Sequence, residues 1–265
     1  MKIKSCRSCK SKKLTKVYSL GKQSLTGIFP PKKNSKVTVG QLSMLLCSKC
    51  KLLQLENNFN PNEMYGDNYG YMSSLNKSMV SHLKLKSLQL KSNYNFNDND
   101  NILDIGSNDG TFLSFFNKKL NLFGCDPTIK KFSKYYRKDI KQIPDFFSSK
   151  LFVNKKFKLI TAISMFYDLP EPLKFAKEIS SILADDGIWH IELSYMPMMI
   201  KNISYDTICH EHLEYYSLHS IKYLLDKAGL KIINLSFNQT NGGSIALDIS
   251  KKSSKYKKCE YLISW

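Results

Sequence analysis

Arginine is almost missing from this sequence. Only Arg7 and Arg137 occur among 40 basic residues, so the guanidinium fork that grips base edges and phosphates in two-point contacts is scarce. The net charge of +18 is therefore a lysine charge, scattered with asparagine over the whole chain. It reads as a solvated surface and argues against a nucleic-acid partner, although such a surface still attracts a small molecule carrying a diphosphate.

Long apolar runs are absent too. No stretch reaches the ~20 residues needed to span a bilayer, and residues 1–13 carry charge without the apolar core of a signal peptide. The expectation is a cytoplasmic protein with no membrane partner. In that reducing compartment seven cysteines read as metal ligands or core residues, not disulfides. What the chain does hold is 42% hydrophobic and 12% aromatic residues, too much for a disordered chain. Its 265 residues allow one α/β domain and a small appendage.

Residues 6–50 are short, lysine-rich and loop-like, with too few periodic apolar positions to hold together by burial alone. Cys6-x2-Cys9 and Cys47-x2-Cys50 supply the missing staple: two tight turns, each presenting two thiolates. Four soft ligands suit a tetrahedral Zn2+, and a site closed by four thiolates is structural, contributing folding energy to the segment that holds it. A redox CxxC is the competing reading, disfavoured by the presence of two pairs without a βαβ context. Cys125, Cys209 and Cys259 stand apart.

Residues 57–71 are polar and turn-rich. Leu75, Met79 and Leu83 then recur every four positions, as one buried helical face does. The asparagine- and aspartate-rich run 93–101 reads as a linker. Beyond it, apolar runs at 102–105, 122–125, 159–163 and 188–193 predict strands, and 112–120, 129–136, 173–183 and 220–228 predict helices. That alternation implies a parallel, doubly wound sheet. Segments 231–237 and 244–250, flanking Asn241-Gly242-Gly243, predict an antiparallel pair at its edge. Three units follow: a zinc module at 1–60, a connecting helical segment at 61–95 and a cofactor-binding domain at 96–265.

The first strand of that domain runs into Gly106-Ser107-Asn108-Asp109-Gly110. Its G-x-x-x-G spacing differs from the G-x-G-x-x-G that cradles a pyrophosphate. A nucleoside without phosphates, S-adenosyl-L-methionine, fits better, with a nicotinamide cofactor as runner-up. Asp126 stands twenty residues after Gly106 at the end of the second strand, where a carboxylate accepts hydrogen bonds from ribose hydroxyls. Asp104 and Asp109 are expected to face the methionine end, Phe146 or Phe147 the adenine, and Ser164 the border between cofactor and substrate.

After the 188–193 strand, His210-Glu211-His212 lies among Tyr205, Tyr215 and Tyr216, a concentration of ionisable groups where doubly wound sheets place their chemistry. Metal binding by H-E-H lacks the i, i+4 spacing of a helical site, so an acid/base role is favoured.

The two CxxC pairs, Tyr69-Gly70-Tyr71-Met72-Ser73-Ser74, the Gly106 loop, the 205–218 segment and Asn241-Gly242-Gly243-Ser244 occur in the order and approximate spacing of the nucleotide-sugar C-methyltransferases, and in these the sequence resembles that family. The resemblance implies a Rossmann-like class I methyltransferase sheet of seven strands behind a small zinc-binding module. It implies methylation of a ring carbon of a nucleotide-linked keto-deoxysugar, with His212 as general base and Glu211 beside it. Tyr71 would hydrogen-bond the developing oxyanion or the sugar, and His210 completes the expected catalytic set. The sequence departs from relatives at Cys209, where some carry tyrosine, at Tyr167, where some carry histidine, and at Lys51, where glycine is usual. Relatives also continue beyond the equivalent of Trp265 into a second α/β domain. Two alternatives follow: a methyltransferase of another small molecule or of RNA, and a cofactor-binding remnant without activity.

Overall fold

The fold, a computed structural model describing residues 1–28, 30, 32–65 and 69–259, is built on two sheets. The larger has seven strands: β4 (Asn101–Ile105), β5 (Asn121–Cys125), β6 (Lys141–Ile143), β7 (Phe157–Ile163), β8 (Leu183–Ser194), β10 (Leu230–Asn238) and β11 (Ser244–Lys251). Their order is β10-β11-β8-β7-β4-β5-β6, with β4 to β8 parallel and β11 antiparallel to both neighbours. β4, β7 and β8 are almost wholly buried, as parallel strands covered on both faces must be. The chain leaves β4 towards β5 on one side and returns to β7 on the other. The reversal opens a crevice at the carboxyl ends of these strands, the place where doubly wound sheets bind ligands.

Two of the expected helices shorten. The 112–120 pattern forms a helix only at Thr111–Ser114; Phe112, Phe116 and Leu120 are still buried, but turns after Ser114 place the last two. The 129–136 pattern gives Ile129–Phe132 followed by a 3-10 turn at Ser133–Tyr135. Helices Pro172–Ile182 and Leu218–Lys227 form close to expectation. β6, three half-exposed residues, carries no apolar run and was not expected.

The cysteine segment is not the loop its composition suggests. β1 (Leu14–Ser24) and β2 (Val39–Cys47) form a long antiparallel hairpin, extended by β3 (Leu53–Leu55). Most of β1 is exposed on both faces, so no alternation marks it in the sequence. A fourth strand, β9 (Glu214–Tyr215), pairs antiparallel with β3. It comes from the segment carrying the histidines, so the small sheet and that segment share one hydrogen-bonded ladder. Leu42, Met44 and Leu55 pack there with Leu213, Tyr215 and Met199. Buried Arg7 lies against buried Glu214, Nε to Oε1 3.7 Å, and donates to the carbonyls of Leu55 and Asn57. Arg137 donates to the Ser114 and Phe116 carbonyls and pairs with Asp139. Both arginines are engaged within the fold.

A helix, Lys77–Asn93, packs Leu83 and Leu90 with Ile102 and Ile188 of the large sheet and is capped by the Asn76 side chain, which accepts from the backbone of Ser78 and Met79. Its buried face is Leu83, Lys86, Ser87 and Leu90; Leu75 precedes the helix in an exposed turn, so the expected four-residue stripe begins one step later. The helix docks by charge as well as by burial. His82 Nε2 and Lys86 Nζ reach Glu192 of β8 at 2.5 and 2.9 Å, and Asn238 donates to the same carboxylate. Burial acts to raise the Glu192 pKa, but these partners more than offset it and hold the carboxyl at about 2. Among the described residues no helix is long and apolar enough to cross a membrane.

Candidate functional site

A cavity of about 910 Å3 opens at the carboxyl ends of β4, β5 and β7, within the size range of cofactor and substrate sites. It gathers residues spread along the sequence: Asp104, Gly106, Ser107 and Asn108 from the first strand and its loop, Asp126 after β5, Phe146 after β6, Ser164 after β7, and Tyr71, Glu211 and His212 from outside the sheet.

The glycine loop folds as a series of left-handed turns, with positive φ at Gly106, Asn108 and Gly110. Gly110 also has a packing reason: a Cβ there would stand 2.7 Å from the Tyr136 ring. Tyr136 bonds Ser107 Oγ at 2.7 Å and donates to the Asn108 carbonyl, bracing the loop from behind. Asp126 accepts the Asn108 N–H at 2.9 Å on one oxygen and the Thr128 N–H and hydroxyl on the other. Burial still pushes its carboxyl up. Asp104, deeper, is pushed up to about 7 by burial, tempered by a hydrogen bond from Thr161. Ser164 holds φ at +56° with its N–H on the Glu192 carbonyl.

Asp109 and Gly110 are not among the residues lining the cavity. Asp109 accepts the Thr111 N–H and hydroxyl at the start of the next helix and the Ser74 N–H, and Asn108 accepts the Ser73 N–H. These bonds lash the 72–75 turn across the loop.

His212 is the central group of the other half. Its Nδ1 lies 2.8 Å from the Thr207 carbonyl. A carbonyl only accepts, so Nδ1 carries the proton and Nε2 keeps its lone pair, an assignment that rests on the hydrogen-bond network. The Tyr167 ring packs edge-on against the imidazole at 4.3 Å. Burial lowers the His212 pKa to about 4, opposed by the Thr207 bond, so the ring is neutral at pH 7. Glu211 is not its partner. That carboxyl, raised by burial, lies against Gly27 in the turn after β1, where a Cβ would stand 2.1 Å from Oε1.

His210 stands outside the cavity. It is fully buried, its Nδ1 accepting from the Thr26 N–H and its Nε2 donating to the Gly40 carbonyl, with Phe59 edge-on at 4.8 Å. It clamps the 207–215 segment to the small sheet. Asp145, Asp168, Tyr65 and Tyr69 also line the cavity. Asp145 follows the strand too short to be read, Tyr69 opens the Tyr69–Ser74 stretch, and Tyr65 and Asp168 come from segments with no motif.

The four thiols of Cys6, Cys9, Cys47 and Cys50 converge within 4.8 Å of one another, with Cys6–Cys50 and Cys9–Cys47 sulfur separations of 3.6 and 3.5 Å. Tetrahedral coordination with bonds of about 2.3 Å sets sulfur separations near 3.8 Å, so the cluster fits zinc. Gln54 Nε2 donates to Cys6 Sγ, the kind of outer contact that orients a metal ligand. Each CxxC turn ends in a left-handed residue, Lys10 at φ +57° and Lys51 at φ +58°, the conformation that glycine adopts at least cost.

Residues 79–235 match the family model described as a methyltransferase domain, and residues 6–65 match one for a candidate zinc binding domain. The chain is 27% identical over 256 residues to the C-methyltransferase NovU of Streptomyces niveus, across 92% of this chain and 60% of that protein. It thus spans about three fifths of the length of this curated relative. Among solved structures, it is similar in fold to a chain of the complex between the Haloferax volcanii Trm112 methyltransferase activator and a methyltransferase (TM-score 0.51, 12% identity, 66% of this chain and 95% of that one). It is similar in the same way to the mitomycin 7-O-methyltransferase MmcR (TM-score 0.51, 10% identity, 67% and 55%).

Proposed function

The chain belongs to the methyltransferase-domain family, which implies S-adenosylmethionine as methyl donor, and on that premise we propose that it methylates a carbon beside the ketone of a nucleotide-linked keto-deoxysugar. The observation that carries this reading is His212: a neutral imidazole with Nδ1 tied to Thr207 and Nε2 left basic, in the same cavity as the Gly106 loop and Asp126. A carbon beside a ketone becomes nucleophilic only after a positioned base removes its proton. The C-methyltransferase relative, whose name states its product class, supports the same chemistry.

In this reading Asp126 binds the ribose hydroxyls, Asp104 faces the methionine amine, Phe146 covers the base, and the loop from Gly106 to Asn108 shapes the floor. Bound S-adenosylmethionine supplies an electrophilic methyl group on a sulfonium. His212 takes the proton at Nε2, Tyr71 at the cavity mouth hydrogen-bonds the sugar, and Glu211 borders the acceptor. Zinc, held by the four cysteines, fixes the small sheet whose last strand carries the histidine segment. Among the described residues lining the cavity none is lysine or arginine, so the diphosphate is left to the lysines outside. The test is incubation of the protein with methyl-labelled donor and a panel of nucleotide-linked keto-deoxysugars. Label bonded to sugar carbon is the expected result; label on oxygen, or none on any sugar, refutes the reading.

A further inference from the structure

We propose that Asp168 is a catalytic hydrogen-bond donor, stabilising the oxyanion that forms as His212 deprotonates the acceptor, and that Tyr65 positions it. The inference rests on the enolising reaction proposed above. Removing a proton beside a ketone drives negative charge onto the ketone oxygen, and that charge needs a donor. Among the described residues lining the cavity there is no lysine or arginine, which points to a neutral donor.

Asp168 ends the short 3-10 turn Phe166–Asp168 directly after β7. It follows Tyr167, whose ring packs on His212, so base and carboxyl border one space. Its Oδ1 and the Tyr65 hydroxyl are both sealed from water without a partner in hydrogen-bond geometry, and the two side chains lie against each other. With Oδ1 sealed, Oδ2 is the carboxyl oxygen left for the cavity that Asp168 lines.

The surroundings favour the acid over the carboxylate. Tyr65, Tyr69, Tyr167, Cys209, Glu211, Glu214 and Tyr215 surround it. Burial pushes the Asp168 carboxyl well above its ordinary range, and Glu211 pushes it further; Tyr65 alone pulls it down. A carboxylic acid kept neutral beside a tyrosine is an established way to hold an enolate oxygen.

The step balances. The C–H pair becomes the new C=C bond, the carbonyl π pair moves to oxygen, and the proton goes to His212 Nε2. Asp168 shares its proton with that oxygen and keeps it. Run backwards in heavy water, the same step returns a deuteron to carbon.

Deuterium exchange at the carbon beside the ketone therefore tests the proposal without methyl transfer. The full chain, bound to S-adenosylhomocysteine, is incubated in heavy water with a nucleoside-diphosphate-linked 4-keto-6-deoxyhexose, and exchange is followed by NMR. Asp168→Ala is expected to slow exchange by about 10²-fold to 10³-fold, and Asp168→Asn, which keeps a donor, by less. Tyr65→Phe removes the hydroxyl whose proximity lowers the Asp168 pKa, so the alkaline fall in exchange rate moves to higher pH. Asp168→Ala exchanging like wild type, or Asp168→Asn as slow as Asp168→Ala, overturns the assignment. If Asp168→Ala does not fold, the asparagine variant and the Tyr65→Phe pH profile decide: wild-type behaviour in both overturns it. Wild-type protein that exchanges nothing refutes the enolising reaction and this inference together, whereas exchange indifferent to both residues refutes the inference alone.

Discussion

The Nδ1 atom of His212 and the carbonyl oxygen of Thr207 are 2.8 Å apart, five residues of chain folded back so that the backbone selects the tautomer of its own imidazole. That bond leaves Nε2 basic, and burial keeps it so down to a pKa of about 4. A group whose pKa is lowered is active above that value. The acid limb of the pH–rate profile is therefore expected near pH 4 and not near the ordinary histidine value of 6.5. Replacing His212 by alanine is expected to cost about 10²-fold to 10⁴-fold in turnover with cofactor affinity unchanged. Steady-state kinetics and calorimetry on the same sample check both, and undiminished turnover removes His212 from its role.

Gly27, in the turn after β1, lines the cavity against Glu211. An alanine there meets Glu211 Oε1 at 2.1 Å and must hold φ at +78°, a left-handed conformation that costs about 1–2 kcal/mol. Gly27→Ala is expected to lower the melting temperature and to displace Glu211, raising KM for the acceptor more than for the methyl donor. Equal effects on the two KM values would contradict this placement.

The zinc site and the histidine segment belong to one ladder through the β3–β9 pairing. Cys6→Ser or Cys47→Ser is expected to lose the metal and unfold the small sheet. Metal content by mass spectrometry and stability by circular dichroism are the measurements, and a stable metal-free protein would refute a structural site.

Glu192 sets an acid limit on stability. Its folded pKa of about 2 lies below the ordinary 4.5, so its contribution is complete above pH 4.5 and fades as pH falls towards 2. Glu192→Gln should flatten that part of the stability–pH curve. It should also destabilise the protein at neutral pH by about 3–5 kcal/mol, because Lys86 loses its buried counter-charge. Chemical denaturation across the pH range tests both signs.

Much of the large sheet was legible because β4, β5, β7 and β8 are apolar runs bounded by turns. β6 was not, since Lys141 and Gln142 carry no such signal. The helix expected at 112–120 shows a correct period with a wrong geometry: Phe112, Phe116 and Leu120 are buried, but the Asn117-Lys118-Lys119 stretch turns the chain after one short helix. β1 was invisible because its side chains face solvent and its register comes from β2. At the site, the Gly106 loop and Asp126 stand out by spacing, whereas His212 is singled out from its neighbours only by the resemblance that its Glu-His pair carries. His210 carries the same local signal as His212, and only the tertiary contacts to Thr26 and Gly40 separate clamp from cavity. Asp168 and Tyr65 belong to no motif; their significance is that two distant segments meet without satisfying each other's hydrogen bonds.

The claim beneath all of this is that the crevice at Gly106 and Asp126 binds the methyl donor. Calorimetric titration of the full chain with S-adenosylmethionine and S-adenosylhomocysteine measures it directly. One site per chain is predicted for each, with affinity reduced at least about tenfold, roughly 1.4 kcal/mol, when Asp126 is replaced by alanine. A folded protein that gives no heat with either nucleoside would contradict the account.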